Sequence, residues 1–489
     1  MPFDSPQPDG PATVKFPHRS RRGVLLGLSA PQLVAATITG LLLLAVLMNS
    51  GVAGALKLIP LWALILSAVF VRHRGRSLAD WAPIALRYTW RRNKRQLVWL
   101  TRPSSRPRRD GLLHLPGTAA SLRVVTSPDG RLSAVHDPHN GTLTAVVKVS
   151  SRAFALLDPS TQNHNVAGWG RTLAALARTG HIARVQVLER TVPDSGDSLN
   201  RYWGAYGNPQ AHLAGPVYAD LLTAAGPAAA PHESYVALAL DLKAGRRLIN
   251  QAGGGLTGSF AVLTQLTSTF DQAARTSGLT PGGWLLATEI AAVIRTAYDP
   301  KALAALDQWS ATGRPQADPA AAGPVVLVEK ADRIETDSAH HATFWIENWP
   351  RIETSPGFLH QLLFTSGVRR TLSLTYEPKG LEAALKDVQR KKATVIADAA
   401  ERQRKGQVDS EEDSVEYADI KDRERQLIAG HADVAMTGLI TVSADTAEQL
   451  NSACAAIETA AVAALVDLRP LTWQQAEAFT NAALPLARP

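Results

Sequence analysis

Across its 489 residues the chain has a single cysteine, Cys454. An internal disulfide is therefore excluded, and a body of this size without bridges points to a reducing compartment. Cys454 lies in the alanine-rich run Ser452 to Ala464, which reads as core and not as a nucleophile site. Phosphate-binding loops of the form G-x-x-x-x-G-K-[ST] are missing, and the nearest cluster, Gly253 to Gly258, has no lysine to reach a phosphate. A G-x-S-x-G elbow, an H-E-x-x-H helix and a C-x-x-C pair are missing too. His340 and His341 are adjacent, so on a strand they point to opposite faces and suit a metal poorly. These absences imply no enzyme, no metal and no cofactor.

Charge is also missing where it would be informative. No charged side chain occurs from Gly23 to Leu56, and after Lys57 none occurs from Leu58 to Val71. A bilayer core of about 30 Å requires roughly 20 apolar residues in a helix. Pro31 to Met48 and Val52 to Val71 approach that length, with Asn49-Ser50-Gly51 as a turn between them. Acid is then scarce: residues 72 to 109 carry 12 basic side chains against Asp80 alone. Residues 1 to 71 hold five basic and two acidic residues, and the remaining 380 hold 34 basic and 40 acidic. The net charge of +8 thus belongs to the collar beside the apolar pair. Basic residues on both outer flanks place both ends of the hairpin, and the body, on the cytoplasmic side of the cell membrane.

The collar residues Arg72, Arg74, Arg76, Arg87, Arg91, Arg92, Lys94 and Arg95 are expected to bind anionic lipid at the membrane surface. Trp81, Tyr88, Trp90 and Trp99 among them suit an amphipathic helix at headgroup level. Nucleic acid is the second candidate for a polycation.

Patterning divides the chain into a basic tail (1–22) expected to be disordered, a transmembrane hairpin (23–71), a juxtamembrane segment and linker (72–110), and two α+β regions (111–324 and 325–489). Alternation marks strands at Ile182 to Leu188 and Val368 to Tyr376, and Tyr235 to Leu242, His341 to Trp349 and Val434 to Val442 read as further strands. Helical runs follow at Val166 to Arg178, Leu381 to Arg404 and Ala447 to Ala464. Glu329, Asp332 and Glu335 are spaced to fall on one helical face. The expected class is α+β, with sheets in a split βαβ arrangement preceded by the two-helix hairpin. No sequence repeat of fixed period is visible.

Two clusters suit protein contact better than catalysis. One is Trp345, Trp349, Pro350 and Arg351 with Phe358, because tryptophan is enriched at interface hot spots. The other is Arg423 and Glu424 with His431 at a charged helix end. With the apolar pair and its collar, the segments Glu347-Asn348-Trp349-Pro350-Arg351, Pro356-Gly357-Phe358, Arg423-Glu424-Arg425, Ala429-Gly430-His431 and Leu468-Arg469-Pro470 resemble an actinobacterial membrane protein family carried beside type IV secretion, conjugation-like ATPase genes. The layout resembles the small two-helix inner-membrane subunit of those systems fused to the N-terminal, non-ATPase domain of the conjugative ATPase. That resemblance implies a scaffold that docks a separate ATPase and assembles into a homo-oligomer or larger membrane complex. A type VII secretion membrane subunit and a membrane-tethered enzyme of unrecognised type are the alternatives.

Overall fold

A computed structural model describes residues 16, 30–57, 67, 72–73, 76–101, 111–151, 154–192, 203–208, 211, 214–225, 232–312, 317–404, 411–429 and 432–489. They form two compact units. The larger holds Phe16, Trp99–Leu471 and Gln475–Pro489; the smaller holds the segment up to Val98 together with Thr472–Gln474.

In the smaller unit, helix α1 (Ala30–Lys57) leaves helical geometry at Gly51, where φ is 62° and ψ −169°. Several of its apolar side chains are exposed: Leu41 by 62% and Met48 by 83%. Among the described residues, no helix is long and apolar enough to cross a membrane. Of the expected second arm of the hairpin, residues 58–66 and 68–71 lie outside the described residues, as does all of the expected tail except Phe16. Strands β1 (Arg72–His73) and β2 (Arg76–Ser77) form a two-stranded ribbon. Helix α2 (Leu78–Asn93) starts from a capping box. The Ser77 hydroxyl accepts from the Asp80 amide at 3.3 Å, and the Asp80 carboxylate accepts from the Ser77 amide at 3.3 Å. Asp80, the only acid of the collar, is thus used to start the helix.

The larger unit is a mixed α+β structure built on one antiparallel sheet of 13 strands. The strands are β3 (Val98–Leu100), β4 (Arg123–Thr126), β5 (Ser133–Asp137), β6 (Thr142–Ser151), β7 (Ile182–Thr191), β8 (His232–Asp241), β9 (Leu279–Trp284), β10 (Val326–Glu329), β11 (Ile334–Thr336), β12 (His340–Asn348), β13 (Arg369–Lys379), β14 (Asp433–Ala444) and β15 (Asp467–Pro470). The principal helices are α3 (Pro159–Arg178), α4 (Gly255–Thr276), α5 (Ala287–Tyr298), α6 (His360–Leu363), α7 (Leu381–Arg404), α8 (Glu411–Ile428), α9 (Ala447–Ala463) and α10 (Gln475–Ala483).

The sheet is an internal duplication. In the first half the order runs β4-β5-β6-β8-β7, with β9 also on β6; in the second it runs β10-β11-β12-β14-β13, with β15 also on β12. Helix α3 joins β6 to β7, and β8 lies between them; α6 joins β12 to β13, and β14 lies between them. Helices α4 and α9 make the second crossover of each half, to β9 and β15. An inserted strand of this kind splits a β-α-β unit. The two halves meet where β7 and β13 pair antiparallel, from Val185↔Tyr376 to Arg190↔Thr371. The regions 111–324 and 325–489 therefore share one sheet.

Alternation along the strands loads both faces. Tyr235, Ala237 and Ala239 of β8 face one core, which α5 and α10 cover with Ile290, Ile294, Tyr298, Phe479 and Leu484. That core also takes Leu327 and Ile334 of the second half, so it is common to both. Val236, Leu238 and Leu240 face the opposite way, against Leu176, Leu263 and Phe270 of α3 and α4. On the same side the second half has a separate core of Phe344, Ile346, Ile440 and Val442 against Leu450 and Ile457. The spacing of Glu329, Asp332 and Glu335 misleads: Glu329 and Glu335 sit on β10 and β11, not on a helix. The Glu329 carboxylate instead accepts from the Ala476 amide at the start of α10, at 3.2 Å.

Candidate functional site

The aromatic cluster forms a corner at the end of β12. Phe344 and Ile346 point into the second-half core, and the strand ends at Asn348. Trp349 packs partly against that core, and Pro350 behind it is buried. Gly438 on β14 makes the room: a Cβ there would lie 2.8 Å from Trp349 Cζ2 and 2.7 Å from Ile346 Cδ1. Phe358 lies edge-on to Trp349 with centroids 6.4 Å apart. The third ring is Phe16, stacked on Trp349 at 5.1 Å and edge-on to Phe358 at 5.4 Å. A residue from the N-terminal segment thus completes the corner, within the range where aromatic pairs attract. Arg351 stays exposed beside it.

Trp345 points to the other face of β12. The Arg469 guanidinium of the paired strand β15 stacks over it at 4.5 Å. Such a stack in a half-buried setting is worth about 1 kcal/mol. Of the expected contact residues, the structure brings Trp349, Pro350 and Phe358 together and places Trp345 apart.

Arg423 and Glu424 lie on α8, which pairs with α7 as an antiparallel arm inserted between β13 and β14. The arm has its own small core of Ala384, Val388, Val395, Ile420 and Leu427. Arg423 donates to Asp433 at 3.2 Å and to Asp387 at 3.1 Å, tying the arm to the start of β14. Glu424 accepts from Lys392 at 2.8 Å, across the arm. Both charges hold the arm together. His431 lies outside the described residues.

In the smaller unit, Arg87, Arg92, Lys94 and Arg95 are exposed on or just after α2, with Arg91 half-buried. Arg72 and Arg76 sit on β1 and β2; Arg74 lies outside the described residues. The helix divides its apolar residues. Trp81 is buried edge-on against Trp473 at 5.6 Å, with Tyr88 6.4 Å from the same ring. Leu86 and Trp90 are exposed, 67% and 57%. Trp473 adopts a positive φ of 65°, a strained backbone for a bulky residue. Its role had no local signal in the sequence.

His341 and Cys454 are both held in their neutral forms. His341 is fully buried, 2.7 Å from the Ser443 hydroxyl and 3.0 Å from that of Thr336, and burial lowers it to about 3. The Cys454 thiol is pushed up to about 12 by burial, far from thiolate reactivity. Among the described residues, no group of three or more His, Cys, Asp or Glu is placed to hold a metal ion. No protein-family model matches the chain, and no curated protein matches it.

Proposed function

We propose that this protein is a non-catalytic scaffold, anchored in the cell membrane by the apolar stretch 23–71, with its body and both termini in the cytoplasm. The observation that carries the reading is α1, whose Leu41, Leu44 and Met48 are exposed along a helix that has no charged residue before Lys57. Burying such side chains in lipid stabilises by about 25 cal/mol per Å² of apolar surface. The collar supports it. Exposed Arg87, Arg92, Lys94 and Arg95 surround exposed Leu86 and Trp90, the composition of a surface that meets anionic headgroups.

The body supplies docking surfaces in this reading. The charged arm α7–α8, with its own small core, and the exposed Arg351 beside the aromatic corner are the candidate surfaces. Placement in a type IV secretion or conjugation-like machine, with a separate ATPase as partner, rests on the motif resemblance of Glu347 to Arg351 and Arg423 to Arg425. Purifying the tagged full chain from membranes tests it. An ATPase should copurify and be lost when the arm, residues 381–428, is replaced by a short turn. A purified complex that never contains an ATPase refutes the partner.

A further inference from the structure

The seam between the two halves contains a buried arginine whose Nε–H has no hydrogen-bond partner. Pairing of β7 with β13 stops at Arg190↔Thr371. Just beyond it, Thr191 and Arg370 line a cavity of about 30 Å³, together with Arg190, Arg369, Thr296 and Ser443. Two of its three arginines are satisfied. Arg190 donates through Nε and Nη2 to Glu233 at 2.9 and 2.6 Å, and through Nη1 to Val293 O and Thr296 Oγ1 at 3.1 and 3.0 Å. Arg369 is paired with Asp445.

Arg370 differs. It is only 4% exposed. Its Nη1 donates to Thr365 O and Val368 O, both at 3.0 Å. Its Nε is buried without a partner, and so is the Thr191 hydroxyl. The electrostatic partner it has is Glu189, whose carboxylate is already taken by Ser234 and by His232 at 3.1 Å. Burial pushes the Glu189 carboxyl up, and none of its oxygens is hydrogen-bonded to Arg370 Nε. Burial lowers Arg370 to about 10, so it still carries its proton at neutral pH. A desolvated guanidinium N–H left without an acceptor is unfavourable. An arginine Nε–H edge and a hydroxyl are the donors that satisfy an anion. A cavity of this size admits one body no larger than a water or a halide.

We propose that the gap between the ends of β7 and β13 binds one small monovalent anion, chloride in size and charge, held by Arg370 Nε–H and the Thr191 hydroxyl. The anion neutralises the seam, so its occupancy sets how firmly the two halves are joined. The site does not depend on the membrane or secretion reading.

The test uses the full chain in an uncharged detergent, melted in sodium bromide against sodium gluconate at constant ionic strength. Bromide should raise the melting temperature saturably, by about 2 °C. R370K, which keeps the charge but loses the Nε–H edge, and T191V should each weaken the apparent bromide affinity at least tenfold. Crystals grown in bromide should show an anomalous peak beside Arg370 Nε that T191V weakens. A wild-type melting temperature indifferent to bromide overturns the site. So do an unchanged bromide response in both variants and bromide peaks elsewhere only, which are adventitious ions only.

Discussion

The first half of the sheet, β4 to β9, and the second, β10 to β15, share a strand order but not a chemistry. Strand β6 buries Thr142, Leu143, Thr144, Ala145, Val146 and Val147 and no titratable group. Its counterpart β12 buries His341 and Phe344, exposes part of Trp345, and ends in the aromatic corner. The crossover helix is 20 residues long in the first half and four in the second. Between β7 and β8 the first half inserts short helical segments at 203–206 and Ala214–Ala225, whereas the second inserts the longer pair α7–α8 between β13 and β14. One half is built as a platform. The other keeps the strand order and adds the arm α7–α8 and the aromatic corner, which is where the proposed scaffold role would place docking.

Breaking what the halves share should cost most. Arg488, near the C-terminus of the second half, donates through Nε to Asp137 of β5 in the first, at 2.9 Å, and both are buried. Asp137→Ala leaves a buried cation and should destabilise by about 3–5 kcal/mol in chemical denaturation. Gln186 of β7 is next. It donates to Ser373 Oγ at 2.8 Å and Leu484 O at 3.1 Å, and accepts from the Ala487 amide at 2.7 Å. Gln186→Leu strands those groups and should cost about 2–3 kcal/mol; an unchanged midpoint would mean that the C-terminal segment does not depend on β7.

Changes confined to the second half should be milder. Gly438→Ala forces Trp349 and Ile346 to move and should cost about 1–3 kcal/mol. It should also release Phe16, seen as altered tryptophan fluorescence that Phe16→Ala reproduces. The pH profile separates the halves as well. Neutral His341, lowered to about 3 from 6.5, makes the unfolded chain the stronger proton acceptor between those values. Its stability is complete above pH 6.5 and is lost as pH falls toward 3, with a limiting slope of about 1.4 kcal/mol per unit. In the first half burial pushes Glu233 up, but Arg190 and Lys148 pull it further down, to about 2 from 4.5. That contribution is lost only as pH falls from 4.5 toward 2. His341→Gln should therefore flatten the profile between pH 6.5 and 4.5 and make it shallower from there to about 3, leaving the limb that Glu233 contributes. The smallest effect is expected at the arm: Glu424→Ala removes a solvent-screened pair with Lys392 and should leave the denaturation midpoint nearly unchanged.

The alternating strands were legible because their period of two survives in the residues themselves, as in Ile182 to Leu188 and Val368 to Tyr376. The duplication was not legible, because topology is repeated by residues of different kind: Leu143-Thr144-Ala145 on β6, His341-Ala342-Thr343 on β12. Strand β9 contains Pro281-Gly282-Gly283, which no strand propensity favours; its pairing to β6 outweighs that. The aromatic corner was visible as a cluster. Its third ring was not, since Phe16 reaches it from a distant point of the chain, and no local pattern marks that contact. The collar was legible from charge alone, but the division of α2 between Trp473 and an open face depends on a loop far along the sequence.

The central claim is that the stretch 23–71 holds an inert body to the membrane. Alkaline carbonate extraction of membranes carrying the full chain tests it most directly. The account predicts that the intact polypeptide stays in the pellet and floats with lipid, whereas a chain starting at residue 111 is released. Complete release of the full chain into the supernatant would contradict it.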